Sequence, residues 1–182
     1  MKTTIALTAV GRDRPGIVAA VSEILYQTGC NIEDSSMCIL QGEFAMILII
    51  SLADSMEVKS LDEKLGTLRK SLGLSISLRE LAQEELSRNI PKDEQVYIIS
   101  VYGTDKPGIV YKVTQSLAGK NINITDVNTK VAGEKDKPVY VMLLEVELPE
   151  GTSSDEIEKS LGEIAKELEV EINIKPLETA EL

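Results

Sequence analysis

The sequence contains no histidine and no tryptophan, and phenylalanine and tyrosine together supply only 3% of its 182 residues. Histidine is the commonest general base, the usual partner of serine and cysteine nucleophiles, and a frequent ligand of transition metals. Its absence removes these three kinds of site, and no serine stands at a recognisable spacing from another base. We therefore expect a protein that is not an enzyme and that holds no metal and no cofactor.

Long apolar runs and paired cysteines are also missing. The longest apolar stretch, "FAMILIISLA", is shorter than the roughly 18 to 20 residues that span a membrane, so it suits a buried strand. The first residues lack the length and the cleavage site of a secretory signal. Cys30 and Cys38 fit neither a zinc pattern nor a CxxC motif, and we expect them to pack as small apolar side chains. These features predict a cytoplasmic protein with no membrane contact.

Basic charge is scarce: 19 lysines and arginines stand against 30 aspartates and glutamates, which gives a formal net charge of −11. Both halves of the chain are acidic, so neither offers the basic surface that gives proteins their non-specific affinity for DNA. We therefore expect no direct contact with nucleic acid. Hydrophobic residues make up 43% of the chain, enough for one or two folded domains.

What the sequence does contain is one motif that occurs twice. "GRDRPGIV" spans Gly11 to Val18 and "GTDKPGIV" spans Gly103 to Val110, at an offset of 92 residues (103 − 11). The same offset continues without a gap to three further pairs: Asn31 and Asn123, Ile32 and Ile124, Asp34 and Asp126. A repeat of this length predicts two similar domains in one chain.

Each half has the same order of expected elements. An apolar strand leads into the motif, an amphipathic helix follows it, and two strands joined by a turn come next. A second amphipathic helix and a last strand complete each half. The order β-α-β-β-α-β predicts an α+β protein of two ferredoxin-like domains, each an antiparallel sheet with both helices on one face. We expect residues 1–84 and 95–182 to form the domains and the polar segment 85–94 to link them.

One strand of the first half, "FAMILIISL", is apolar at both alternating sets of positions. A strand with one face in water would alternate apolar and polar residues. Two interpretations remain open. The strand is central in its sheet with one modestly exposed apolar face, or that face packs on another sheet, within the chain or in a homodimer.

The repeated motif has a structural and a functional interpretation. Pro15 suits a first helical turn, Asp13 can accept hydrogen bonds from free amides, and Gly16 leaves the helix start open to a close approach. A helix N-terminus with free amides favours a carboxylate, but most helices have such amides. Judged on one copy alone, the motif is therefore either a capped strand-to-helix turn or an anion-binding site.

The segments "GRDRPGIVAAVSEILYQTGCNIEDSSM" and "GTDKPGIVYKVTQSLAGKNINITDVNT" resemble the opening of ACT domains, which are small regulatory modules that commonly bind amino acids. The tandem arrangement without a catalytic domain resembles the glycine cleavage system transcriptional repressor family. The resemblance implies an amino-acid site, often between domains, formed by the first loop and by the asparagine that begins the second strand. It places these residues at Arg12, Asp13, Arg14, Pro15, Gly16, Ile17 and Asn31, and at Thr104, Asp105, Lys106, Pro107, Gly108, Ile109 and Asn123.

The resemblance also implies roles within that site. Backbone amides near Gly16 would hold the ligand carboxylate, and the Asn31 amide suits an α-amino or α-carboxyl group because it both donates and accepts. Asp34 and Asp126 would pair with an ammonium group or cap a turn. The two loops differ at Arg12 and Thr104, so the two sites have unequal affinity, or one copy serves only in pairing.

The expected function is amino-acid sensing that controls a protein partner by allostery, including transcriptional regulation of glycine cleavage through a DNA-binding partner. The alternative is a regulatory subunit of a separately encoded enzyme of amino-acid metabolism. Both share a small amino acid as ligand, and the partner is a transcription factor in the first case and a metabolic enzyme in the second.

Overall fold

The computed structural model describes residues 3–53, 56–82, 96–133, 138–149 and 151–177. The chain divides into two compact units, Met1–Arg88 and Asn89–Leu182. The expected linker, 85–94, lies outside the described residues. Each unit is treated by itself below.

Both units have the element order that the repeat predicts. The first contains β1 (Thr4–Arg12), α1 (Ile17–Gln27), β2 (Asn31–Leu40), β3 (Glu43–Ser51), α2 (Val58–Leu72) and β4 (Ser75–Leu81). The second contains β5 (Val96–Gly103), α3 (Ile109–Ala118), β6 (Asn123–Ala132), β7 (Val139–Glu147), α4 (Ser154–Leu168) and β8 (Val170–Pro176). The strand orders are β2-β3-β1-β4 and β6-β7-β5-β8, and every pair is antiparallel. The predicted α+β class with two ferredoxin-like domains is confirmed.

The core of each unit lies between the sheet and its two helices. In β1, alternate residues are fully buried because successive side chains point to opposite faces of a strand. Helix α1 buries Ile17, Val21 and Leu25, spaced four apart on one face, and α2 buries Leu61 and Leu65 in the same way. The apolar stripes read from the sequence therefore form the helix faces that cover the sheet.

Among the described residues of each unit, no helix covers the second face of the sheet. Strand β3 is central in its sheet, and Ile47 on its uncovered face is 52% exposed. The corresponding side chain in the second unit, Leu143 of β7, is 41% exposed. Within the first unit, "FAMILIISL" is therefore a central strand with one face buried against the helices and one face exposed.

The second helix of each unit begins without a side-chain cap. The N-cap residues of α2 and α4 are Glu57 and Ser153, and neither makes a side-chain capping hydrogen bond. In the described part of the chain, no helix is both long and apolar enough to cross a membrane.

Candidate functional site

The repeated motif forms the loop between the first strand and the first helix of each unit. Gly16 and Gly108 are the N-cap residues of α1 and α3, with φ of 94° and 98°. The first intrahelical bonds run from Ala20 N to Gly16 O and from Lys112 N to Gly108 O, each 2.9 Å long. The three amides before each of these donors have no intrahelical acceptor, so each loop presents the positive end of a helix dipole.

The space in front of both helix starts is open. A Cβ atom built on Gly16 or Gly108 meets no heavy atom within 4 Å. Glycine is required there by its positive φ, which side chains adopt at a cost, and not by crowding. The side of each of these glycines on which a Cβ would stand is therefore open.

The first glycine of each motif has a different function. A Cβ on Gly11 would lie 2.9 Å from Leu74 Cδ2 and 3.2 Å from Gly73 O. A Cβ on Gly103 would lie 2.6 Å from Val170 Cγ1. These glycines let the end of the first strand pack closely on the start of the last strand.

Two expectations about the motif are wrong in detail. Pro15 precedes the N-cap and lies outside α1, whose first residue is Ile17, because the left-handed Gly16 separates them. Within the described residues, no hydrogen bond joins the carboxylate of Asp13 or Asp105 to a helix amide. Instead the Asp13 backbone N donates to Gly42 O at 2.8 Å, which fastens the loop to the β2–β3 turn.

The basic residues of the two motifs reach the end of the second helix in their own unit. Arg14 Nη2 donates to Ser71 O at 3.4 Å, close to the end of α2. Lys106 Nζ donates to Leu168 O at 3.2 Å and to Glu169 Oε2 at 2.5 Å, at the end of α4. Cations are favourable at a helix C-terminus. Both side chains therefore hold the loop against the second helix, and Lys106 is in addition paired with a carboxylate.

This ion pair has an electrostatic consequence. The hydrogen bond and the charge of Lys106 hold the pKa of Glu169 below its usual value of 4.5. Glu169 also has a φ of 55°, in the left-handed region where the first unit has Gly73. At this position the second unit has a glutamate, which forms an ion pair with Lys106, whereas the first unit has a glycine.

The remaining loop residues divide by exposure. Arg12 and Thr104 are exposed, and Arg12 lies opposite Glu43 in the β1–β3 ladder. Ile17 and Ile109 are each 1% exposed and belong to the two cores. These two isoleucines can offer a ligand only their backbone amides, because their side chains point away from the loop.

The structure separates the loop from the asparagine of the same unit. Asn31 lies opposite Ser51, which lies opposite Thr4 at the start of β1, whereas the loop follows Arg12 at the other end. Eight residues of strand correspond to about 26 Å. Asn123 lies in the same way opposite Glu147, at the far end from Gly103. One unit therefore does not bring the expected site residues together.

Each asparagine is hydrogen-bonded to a glutamate that the sequence analysis did not select. Asn31 Nδ2 donates to Glu33 Oε1 at 2.9 Å, and Ser51 Oγ donates to the same oxygen at 2.7 Å. Asn123 Nδ2 donates to Glu147 Oε2 at 3.0 Å. The carboxylate comes from the asparagine's own strand in one unit and from the neighbouring strand in the other. An amide beside a carboxylate is chemically suited to an ammonium group in both units.

The two aspartates that follow make local contacts. Asp34 Oδ1 accepts from Ser35 N at 2.7 Å, and Asp126 Oδ2 accepts from Asn128 Nδ2 at 2.5 Å. The first contact lies inside β2, beside the irregularity between Ile32 and Asp34, and therefore does not cap a strand-end turn. The second contact lies along the exposed edge of β6. Both carboxylates are exposed.

No group of three or more histidine, cysteine, aspartate or glutamate side chains suited to a metal occurs in the described ranges. A shallow apolar depression of about 360 Å³ lies on the uncovered face of the first sheet. Its lining is Thr8, Val10, Ser36, Met37, Cys38, Ala45, Met46 and Ile47. The depression offers no charged partner for an amino-acid backbone, so the loops and the asparagine ends remain the candidate site.

Comparison with known proteins identifies relatives for both halves. The family model for the ACT domain matches residues 3–79 and 95–175. The glycine cleavage system transcriptional repressor of Escherichia coli is 24% identical over 172 residues, covering 93% of this chain and 88% of the relative. A UPF0237 protein from Methanopyrus kandleri is 37% identical over 75 residues, covering 41% of this chain and 83% of the relative. A crystal structure from Galdieria sulphuraria has a TM-score of 0.82 and 28% identity, covering 98% of this chain and all of that one.

Proposed function

The chain belongs to the ACT domain family, and on that premise we propose that it is a non-catalytic cytoplasmic regulator that senses an amino acid. The observation that carries the proposal is the loop that occurs twice. In both units a left-handed glycine, open space and free helix amides meet at one point. This arrangement suits the α-carboxylate of a small ligand.

The ammonium group of the ligand needs a second set of contacts. Asn31 with Glu33, and Asn123 with Glu147, offer an amide oxygen and a carboxylate. Because one unit holds its loop and its asparagine at opposite ends of the sheet, a ligand that uses both requires a second ACT unit. Binding would then favour one arrangement of units over another, and such coupling is typically worth about 1–3 kcal/mol.

A regulator of this kind acts through another protein. The net charge of −11 argues against direct contact with DNA. The similarity to a glycine cleavage system transcriptional repressor over 93% of the chain favours a partner that itself binds DNA. Control of a separately encoded enzyme of amino-acid metabolism is the other outcome that a partner search can return.

The test of ligand binding is thermal unfolding of the full chain with each common amino acid. A ligand at 100 times its dissociation constant stabilises by about 2.7 kcal/mol, which raises the midpoint of a unit of this size by about 10 °C or more. Asn31→Ala and Asn123→Ala should reduce the shift. Asn173→Ala is the matched control, because Asn173 also donates to a glutamate on an exposed edge strand, at 3.1 Å. If no amino acid moves the midpoint, the sensing proposal is wrong.

The test of the partner is affinity capture with and without the amino acid identified in that screen. Recovery of a DNA-binding protein whose yield changes with the amino acid supports the proposal. Recovery of a metabolic enzyme instead would assign the chain to the alternative function.

A further inference from the structure

Each unit has a β-bulge near the start of the strand that carries its asparagine. The pairing of β2 with β3 passes over Glu33, and the pairing of β6 with β7 passes over Thr125. These two extra residues stand at the same position of the repeat, 92 residues apart (125 − 33). A bulge redirects a side chain and is over-represented next to functional sites. Both strands therefore interrupt the regular ladder two residues after the asparagine.

The neighbouring strand supplies a second pair of equivalent positions. Asn31 lies opposite Ser51, the last residue of β3, and Asn123 lies opposite Glu147, the last residue of β7. Ser51 and Glu147 are 96 residues apart (147 − 51), because residues 133–138 connect the second hairpin whereas residues 41–42 connect the first. Each asparagine thus has one bulge residue and one cross-strand residue beside it.

Between the two units, the carboxylate and the hydroxyl have exchanged places. The first unit has the carboxylate at the bulge, in Glu33, and a hydroxyl across the strand, in Ser51. The second unit has the hydroxyl at the bulge, in Thr125, and the carboxylate across the strand, in Glu147. The asparagine Nδ2 nevertheless donates to the carboxylate in both units, at 2.9 Å and 3.0 Å. The contact is kept although a different strand supplies its acceptor.

Stability of the fold does not account for this contact. Asn31, Glu33 and Asn123 are exposed, and polar contacts to charged groups at an exposed surface contribute little to the free energy of unfolding. A ligand gives a reason for keeping it. An ammonium group needs a carboxylate and an amide oxygen side by side, and it is indifferent to which strand carries the carboxylate.

We propose that the asparagine and the exchanged glutamate bind the primary ammonium group of the ligand, with Glu33 and Glu147 as the residues that select for it. The nitrogen of each asparagine is used in the bond to the glutamate, so its oxygen is the atom that accepts from the ligand. The ligand class is therefore a carboxylic acid with a free amine, and the same acid without the amine binds more weakly. This inference rests on the proposed function, since the carboxylate of the ligand is assigned to a loop.

The hydroxyl groups have different acceptors in the two units. Ser51 is 5% exposed, and its Oγ donates to Glu33 Oε1 at 2.7 Å, which fixes the carboxylate next to Asn31. Thr125 Oγ1 instead donates to the backbone O and to Oε1 of Glu145, each at 3.3 Å. We expect the first unit to hold its carboxylate more firmly and to discriminate more strongly for the amine.

A similar pair on β8 is the matched comparison. Asn173 Nδ2 donates to Glu171 Oε1 at 3.1 Å, with the same two-residue spacing as Asn31 and Glu33. The register of β8 with β5 runs without a bulge through both residues. This pair lacks the cross-strand residue that has exchanged its chemistry, so it is not assigned to the ligand.

The test compares each common amino acid with the acid in which hydrogen replaces its amino group, such as glycine with acetate and alanine with propionate. NMR titration of the full chain follows the side-chain amide signals of Asn31 and Asn123, which report on the two units separately. The amino acid that binds should bind more tightly than its matched acid. Glu33→Gln should weaken it at Asn31 about fivefold or more, and Glu147→Gln should do the same at Asn123. Neither change should weaken the matched acid.

The decisive variants exchange the two arrangements between the units. Glu33→Thr should lose the preference for the amine at Asn31, and Glu33→Thr/Ser51→Glu should regain it, because it reproduces the second unit. Thr125→Glu/Glu147→Ser makes the reverse exchange at Asn123 and should also keep the preference. Glu171→Gln removes the same charge elsewhere and should change nothing. Circular dichroism and the unfolding midpoint show which variants are folded.

The inference is overturned if folded Glu33→Gln and Glu147→Gln keep the wild-type preference, or if neither exchange restores it in a folded protein. A wild-type chain that binds an amino acid and its matched acid equally well also contradicts the inference, but it leaves the carboxylate site of the proposed function standing. A chain that binds none of these compounds overturns both.

Discussion

Replacing Gly103 with alanine should destabilise the second unit by overpacking. The new Cβ would lie 2.6 Å from Val170 Cγ1, 3.0 Å from Val170 Cβ and 3.2 Å from Val170 Cα. Carbon atoms pack best at about 3.5–4.0 Å, so all three contacts are too short. A change of rotamer moves Cγ1 but not the Cβ or the backbone, and Val170 is only 9% exposed. The strands β5 and β8 must therefore shift apart.

The expected cost is about 2 kcal/mol, within the range of about 1–3 kcal/mol for one extra methyl group in a packed site. Val170→Ala alone should cost about 1.5 kcal/mol, since it removes two buried methyl groups at about 0.8 kcal/mol each. In the double variant Gly103→Ala/Val170→Ala, the contact with Val170 Cγ1 is absent. The loss of unfolding free energy in this variant should therefore be about 1 kcal/mol or more below the sum of the losses in the two single variants.

Tyrosine fluorescence during urea unfolding is a suitable measurement, because the chain has five tyrosines and no tryptophan. Four of the five lie in the described part of the second unit: Tyr97, Tyr102, Tyr111 and Tyr140. Gly162→Ala is the control in the same unit, since a Cβ there meets nothing within 4 Å. It should stabilise α4 by about 0.5–1 kcal/mol.

The reasoning fails if Gly103→Ala is as stable as wild type, or if Val170→Ala brings no rescue. Either result would mean that the first glycine of the motif is not there for packing. Its place in the loop would then need another explanation.

Three further predictions concern the loops. Gly16→Ala should lose about 1–2 kcal/mol through its φ of 94° alone, without a clash, measurable as faster hydrogen exchange in α1. Because its pKa is lowered in the folded state, Glu169 contributes stability that is present above pH 4.5 and lost as the pH falls through the folded pKa. The substitution Lys106→Gln should raise the pKa of Glu169 toward 4.5, which an NMR titration of the carboxyl group would measure. Burial first and the charge of Asp105 second raise the pKa of Tyr140 above 10.0; Asp105→Asn should lower it partly in a tyrosinate absorbance titration, and an unchanged value would separate Asp105 from this ring.

The fold was predictable because its determinants are local and repeated. Apolar residues spaced three and four apart produced the helix faces, and alternation produced the strands. The second copy then confirmed each element of the first at a constant offset.

The candidate site was less predictable, because the positions of its residues depend on the path of the chain between strands and helices and not on local sequence patterns. Asn31 follows Gly16 by only fifteen residues, and a short spacing suggests proximity. The intervening helix α1, with 11 residues, runs back along the sheet and carries the chain to the opposite end. The contacts of Arg14 and Lys106 were equally hidden, since their acceptors lie 57 and 62 residues later in the sequence.

The two loops are alike in backbone and different in charge, and the difference argues for unequal function. In the first loop Arg12 and Arg14 flank Asp13, and the formal charges of these three positions sum to +1 (+2 − 1). In the second loop the corresponding positions are Thr104, Asp105 and Lys106, whose formal charges sum to zero (+1 − 1), and Glu169 forms an ion pair with Lys106. Among the described residues, Arg14 has only a carbonyl partner, whereas Lys106 is already paired with a carboxylate. An incoming carboxylate therefore meets a more favourable potential at Gly16 than at Gly108, and we expect the first unit to hold the stronger site.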